Sequence, residues 1–186
     1  VYIVNNKNMN SRYLVIQLDI GQGTQWGNNK TINPIRDIFI PSVRNYCLKY
    51  NYDYYLVKES IYEKNYGDFN FLETKKKHYS FERYFHFKNN YDFTIYIDND
   101  VYIYPEANEL PNINGLMNVK EPEGNSSAIF RKVNYLDITH NYFNSGVTFC
   151  DNATATKLSE YMINRLIKKI IPKGKNSDNM LLNEFI

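Results

Sequence analysis

The segment "YDFTIYIDNDVYIYP", Tyr91 to Pro105, carries a strand-forming run that stops on two acids, Asp98 and Asp100. Like charges that close resist joint ionisation unless a cation sits between them. Oxygen ligands suit Mn²⁺ or Mg²⁺, which commonly bridge one or two carboxylates to a substrate phosphate. A strand ending this way presents half a coordination sphere and leaves the rest for a phosphorylated ligand. The plainer alternative is a polar turn in which Asp98 caps backbone amides. Position decides between them, because ligands of parallel α/β sheets collect at the carboxyl ends of the strands.

The elements around this pair predict such a sheet. "RYLVIQLDIG" (Arg12 to Gly21) is apolar throughout and reads as a strand buried on both faces. A helical pattern follows in "PIRDIFIPSVRNYCLKYN", with Ile35, Ile38, Phe39 and Val43 on one side and Pro41 as a kink or restart. "DYYLV" and "FTIYI" are further strands. Between them "ETKKKHYSFERYFHFKNN" reads as a helix whose Phe81, Tyr84, Phe85 and Phe87 form core packing. After the acids, strand-like "VYIY" resumes, Glu121 to Gly124 is loop, and "SAIFRK" and "GVTFC" are short strands. The clearest helix runs from "NATATKLSEY", with Asn152 as N-cap, Leu158, Met162, Leu166 and Ile170 as its ridge, and Pro172 and Gly174 as stop signals. Ser177 caps a last helix towards Ile186. Alternating strands and helices, without a repeat or linker, predict one α/β domain with a mostly parallel sheet flanked by helices.

Composition excludes several classes of partner. The 186 residues suffice for a full core, and 43% hydrophobic content argues against disorder. A net charge of +2, with "KKK" at Lys75 to Lys77 as the longest basic run, gives no support to nucleic-acid binding. No apolar run reaches the 18 or so residues of a membrane span, and the first residues lack a signal-peptide pattern. A soluble, cytoplasmic protein is the expectation. Cys47 and Cys150 are too few for a disulfide framework or zinc site and read as buried free thiols. The 27 Asn and 18 Tyr share AT-rich codons with Lys and Ile, so their excess is readable as genome composition.

With these residues in order, the chain resembles the GT-A glycosyltransferases. "YDFTIYIDNDVYI" looks like their metal-binding D-x-D segment, and "FNSGVTFCD" like the N-x-G and strand that follow it in glycogenin-like and bacterial galactosyltransferases. "SDNMLLN" is similar to a D-Q-D-x-L-N segment further on, and "KKHYSFERYFHF" to the basic helix before the D-x-D in α-galactosyl- and α-xylosyltransferases. The resemblance implies that Asp98 and Asp100 hold Mn²⁺ or Mg²⁺ against the diphosphate of a UDP-sugar, with Asn99 between them at the donor. It implies that Gln17, Leu18 and Asp19 meet uracil and ribose. Lys77 and Arg83 would face phosphates or sugar, and Asn144, Ser145 and Gly146 would line the sugar. Asp178 and Asn179 would stand beside the anomeric carbon, Asn179 one methylene shorter than the family's Gln. A hexose, glucose or galactose, would pass with retention to a glycan or glycoprotein acceptor. Many relatives add a His ligand downstream, whereas His78, His86 and His140 all come earlier here. Water, or a residue past Ile186, would then complete the metal's shell.

Three other readings compete. "DNDV" also fits the D-x-D-x-[TV] motif of haloacid-dehalogenase phosphatases, with Asp98 as nucleophile and Asp100 as acid/base. That motif normally follows a first strand, and its later paired acids are missing. "GQGTQWG" brings Gly27 one residue late for a dinucleotide loop. A non-catalytic nucleotide-sugar-binding domain would use the same two acids.

Overall fold

The computed structural model describes residues 12–20, 35–67, 78–87, 90–120, 143–171 and 177–185. Strand β1, Tyr13–Leu18, is buried along its whole length, as its unbroken apolar run requires. Parallel neighbours flank it: β2, Asp53–Val57, on one side and β3, Phe93–Ile97, on the other. Strand β4, Leu116–Lys120, lies at the far edge, and β5, Phe143–Asp151, runs antiparallel to both β3 and β4. The order is β2-β1-β3-β5-β4, so among the described residues four strands share one direction and β5 alone is reversed. This is the mostly parallel α/β sheet expected.

The two-residue period of a strand divides the core into two layers. Leu14, Ile16, Leu18 and Tyr96 face one way, onto Phe81, Tyr84, Leu158, Met162, Leu166, Leu181 and Leu182. Tyr13, Val15, Phe93, Ile95, Ile97 and Phe149 face the other, onto Val43, Tyr46 and Cys47 of helix α1, Ile40–Tyr50. Pro41 sits in the first turn of α1, where its missing N–H costs nothing, so it restarts the helix after a π-helical turn over Ile35–Phe39. Ile38 is correspondingly exposed, not part of a buried stripe. Asn51 adopts left-handed geometry (φ 60°) as the C-cap of α1. Cys47 and Cys150 are buried free thiols, and burial pushes the Cys47 thiol up to about 12.

Several local predictions need correction. The aromatic segment before β3 is a 3₁₀ helix, His78–His86, and no α-helix. Phe81, Tyr84 and Phe87 recur every three residues, and a helix with three residues per turn stacks them along one buried edge. Helix α2, Ile61–Tyr66, escaped detection because it is so short; Ser60 caps it by accepting from the Glu63 amide. β4 was also missed, its "LMNVK" having no clear alternation. "VYIY" forms no strand. Helix α3, Asn152–Ile167, is capped by Asp151, whose carboxylate accepts from the Thr154 amide, and Asn152 is its first residue. Ile170 falls beyond its end and is exposed, leaving Leu158, Met162 and Leu166 as the buried ridge. Helix α4 runs Ser177–Phe185. "GQGTQWG", the Glu121 to Gly124 loop, "SAIFRK", Pro172, Gly174 and His140 lie outside the described residues.

Glu82 joins α2 to the 3₁₀ helix. Its buried carboxylate accepts from Ser60 Oγ (2.8 Å), the Ile61 amide (2.5 Å) and the Tyr62 amide (3.3 Å), and His86 Nε2 lies 3.3 Å away. Burial alone would push this carboxyl up; the adjacent His86 ring and the hydrogen bonds from Ser60 and the two amides outweigh it and hold it below its ordinary value. A depressed acid stabilises the fold above its unfolded pKa and loses that contribution as pH falls through the folded one. Glu82→Gln should therefore cost about 2–3 kcal/mol at neutral pH. The penalty should shrink on acidification in urea titrations of both proteins, and a penalty independent of pH would disprove the charged role.

Candidate functional site

Register brings the predicted acids and their neighbours to one edge of the sheet. β1 and β3 are parallel, with Ile16 opposite Tyr96, so the residues after Leu18 and after Ile97 emerge side by side. β5 is antiparallel, with Ile97 opposite Val147, so its start meets the end of β3. The Asp98 amide donates to the Gly146 carbonyl (2.7 Å), and the Asn99 side chain donates to the Leu18 carbonyl (2.9 Å). Asp98, Asn99, Asp100, Leu18, Asp19, Ser145 and Gly146 are thereby assembled from three strands that are distant in sequence.

Asp98 is half-buried, and its Oδ1 accepts from Tyr96 Oη at 2.6 Å. Its carbonyl accepts from the Val101 amide (3.2 Å), closing the turn that carries Asp100 to an exposed position. Asp19 is held by the Asp19 amide to Val57 carbonyl bond (2.8 Å), and its carboxylate pairs with Arg36 (3.2 Å). Half of Arg36 is exposed, so this pair orients more than it stabilises.

Two expected donor contacts have other partners. Gln17 is fully buried; its amide donates to the Asp98 carbonyl (3.2 Å) and accepts from Tyr54 Oη (2.8 Å). It braces β2 and the acid turn against β1 from beneath the edge. Arg83 is also fully buried. Its two terminal nitrogens donate to the Ser145 carbonyl (2.7 Å) and Ser145 Oγ (3.0 Å), while the guanidinium lies 4.1 Å from the Tyr96 ring centre. Asn179, on α4, is buried too, and its Oδ1 accepts from the Ser145 amide (3.0 Å) and from Ser145 Oγ. Asn183 in turn donates to the Asn179 carbonyl (2.7 Å). Asp178 is the second residue of the same helix and Asn144 the second of β5, whereas Lys77 lies outside the described residues.

A continuous series results: Asn183, Asn179, Ser145, Arg83, the Tyr96 ring, Asp98. Sequence reasoning missed Tyr96, although its position two residues before Asp98 puts both side chains on one face of β3. Among the described residues no three His, Cys, Asp or Glu side chains gather to hold a metal ion. The donor set at this edge, two carboxylates of which one is open to solvent, suits a cation shared with phosphate and not an all-protein cage.

No protein-family model matches the chain, and no curated protein does. Solved structures do. One is a glycosyltransferase involved in the glycosylation of the major capsid of PBCV-1, at 15% identity and TM-score 0.50, over 83% of this chain and 66% of that one. Another is the galactosyltransferase LgtC in complex with donor and acceptor sugar analogs, at 16% identity and TM-score 0.50, over 92% and 70%. The present chain thus spans about two thirds of the length of each. At such identity the likeness speaks for the fold, and the fold is that of the GT-A glycosyltransferases. No helix among the described residues is long and apolar enough to cross a membrane.

The forked contact of Arg83 yields a prediction. Lysine carries a charge but cannot place two fixed donors on the carbonyl and hydroxyl of one residue. Arg83→Lys should lower stability by about 2–3 kcal/mol in urea denaturation. An unchanged midpoint would show that the fork does not hold β5.

Proposed function

We propose that the chain is a metal-dependent glycosyltransferase that moves a hexose from a UDP-sugar to a glycan or glycoprotein acceptor. The observation that carries this reading is the convergence, on the carboxyl edge of a GT-A sheet, of Asp98 and Asp100 with the end of β1 and the Ser145–Gly146 start of β5. Asp98 and Asp100 are the residues that would hold Mn²⁺ or Mg²⁺. A cation there supplies Lewis-acid neutralisation of the charge that builds on a departing diphosphate. Asp19 and the Leu18 backbone stand where nucleoside would enter, and Lys77 is the cation assigned to the phosphates. Ser145 is buried, its amide and carbonyl engaged by Asn179 and Arg83, so with Gly146 it would form the floor under the sugar and not bond it directly. Asp178, at the start of α4, is assigned to orienting the sugar and attacking hydroxyl, with Asn179 as the residue that positions Ser145 beneath it. Galactose or glucose as the hexose, and retention at its anomeric carbon, follow from the resemblance of the motif set.

Asp98 follows β3 and not a first strand, which counts against the phosphatase reading of "DNDV". Simple phosphate esters should accordingly be hydrolysed no faster by the protein than by Asp98→Ala. Phosphatase turnover abolished by that substitution would replace the transferase assignment.

The central test is calorimetry of UDP with Mn²⁺ and with excess EDTA. Binding should require the cation, and Asp100→Asn should weaken it at least about tenfold, or about 1.4 kcal/mol. Its melting temperature should stay unchanged, because Asp100 is exposed. Equal binding in EDTA would remove the metal site.

Asp178→Ala should lower the turnover number of donor hydrolysis while leaving UDP affinity nearly intact, the pattern of lost transition-state stabilisation. Unchanged turnover with a lowered melting temperature would reassign Asp178 as a helix cap.

A further inference from the structure

The segment that follows the acid turn is irregular in backbone yet tightly fastened. The Ile103 amide donates to Ser42 Oγ (3.1 Å), Lys49 Nζ donates to the Pro105 carbonyl (2.9 Å), and Tyr46 Oη donates to the Asn108 carbonyl (2.6 Å). Val101 and Ile103 pack inward against the α1 layer of the core. Alternation then turns Tyr102 and Tyr104 outward, 40% and 70% exposed, with ring centres 5.1 Å apart and planes at 87°. Between these rings and α1 lies a groove of about 420 Å³, also lined by Asp37, Ile38, Pro41 and Asn45.

Its chemistry is selective. The volume falls within the roughly 300–1,000 Å³ of small-molecule sites. Lys49, the one cation among the lining residues, is occupied by the Pro105 and Ala107 carbonyls, and the only other charged lining residue is an acid, Asp37. Phosphorylated or acidic ligands are therefore disfavoured. Two exposed phenol rings at right angles offer faces to the C–H side of a pyranose, and the Asn45 amide and phenol hydroxyls offer partners to its hydroxyls. A protein partner would want a larger and more apolar patch than this.

We propose that this groove binds a neutral glycan, the acceptor chain of the transfer reaction, at sugar units removed from the reacting hydroxyl. The acceptor role rests on the glycosyltransferase reading; the binding itself does not. Tyr102 stands two residues after Asp100, so a chain lying in the groove runs beside the acid turn. Ser42, Tyr46 and Lys49 hold its wall in place before the glycan arrives, which reduces the ordering cost of binding.

The test is ligand-observed NMR with a panel of neutral di- to tetrasaccharides of hexoses and pentoses, on the wild type, Tyr104→Phe and Tyr104→Ala. Members of the panel should bind the wild type. Tyr104→Ala should weaken them about tenfold, while Tyr104→Phe, which keeps the ring, should stay within about threefold. Melting temperatures and Mn²⁺-dependent UDP binding should be equal in all three. No saccharide bound at millimolar concentration, or equal binding by Tyr104→Ala, overturns the groove even where UDP still binds. Tyr104-dependent saccharide binding without any UDP binding would leave the groove standing and remove its acceptor role.

Discussion

A buried guanidinium organises this edge of the molecule. Arg83 is carried to the sheet by a 3₁₀ helix, where desolvating a cation is costly unless its donors are met. Ser145 accepts one bond from each terminal nitrogen, and the guanidinium carbon lies 4.1 Å from the Tyr96 ring centre. The cost of burial is thus offset by charge-assisted bonds that exist only when β5 begins at one place. Shift β5 by a residue and Ser145 would point to the opposite face of the sheet. The same contact therefore fixes the register of β5, the position of Gly146 beside Asp98, and the seat of Asn179.

That constraint bears on function through the carboxylates. Tyr96 receives the cation on its ring and donates its hydroxyl to Asp98, so the Arg83 charge is felt at the acid through a polarised phenol. Asp98 is oriented from below, and Asp100 is left free to solvent at the tip of its turn. One fixed and one open carboxylate would suit the proposed cation, which would have to take up and release a diphosphate. Gln17 completes the support on the other face by tying the Asp98 carbonyl to β1 and, through Tyr54, to β2. Burial raises the Tyr54 hydroxyl far above neutrality, so it remains a donor.

Much of this was legible in the sequence, and the limits have physical causes. β1 and β3 were readable because buried parallel strands are continuous apolar runs. The acid pair stands out in the sequence as the charged end of an apolar run, where a polar turn and a cation site are the two readings. The resemblance assigns Arg83 and Gln17 to the donor, a role that needs exposed side chains, and both are fully buried. Their burial depends on partners 62 and 81 positions away in the chain, which no local pattern reveals. Helix type before β3 was ambiguous for a different reason: Phe81, Tyr84 and Phe87 satisfy a three-residue period as well as they approximate 3.6. β4 is an edge strand with a bulge between Asn118 and Val119, and a broken alternation hides it.

The tyrosine content, readable as codon bias, has a structural use. The chain from Val101 to Asn112 has no strand or helix to satisfy its backbone, and such groups must find other partners when covered. Tyr46 and Tyr50 donate to the Asn108 and Ala107 carbonyls, Tyr52 Oη accepts from the Leu110 amide, and Tyr13 donates to the Asn112 side chain. Their rings meanwhile pack on one another, with Tyr13 and Tyr52 centred 4.6 Å apart. Tyrosine alone among the large apolar side chains can fill a core with its ring and reach its rim with a strong hydroxyl. Burial pushes the Tyr46 hydroxyl up to about 12, so it stays a donor at any physiological pH. Phenylalanine in these places would keep the core and release the segment that carries Tyr102 and Tyr104. Nucleotide composition can enrich a chain in tyrosine, but it does not aim four hydroxyls at one irregular stretch of chain.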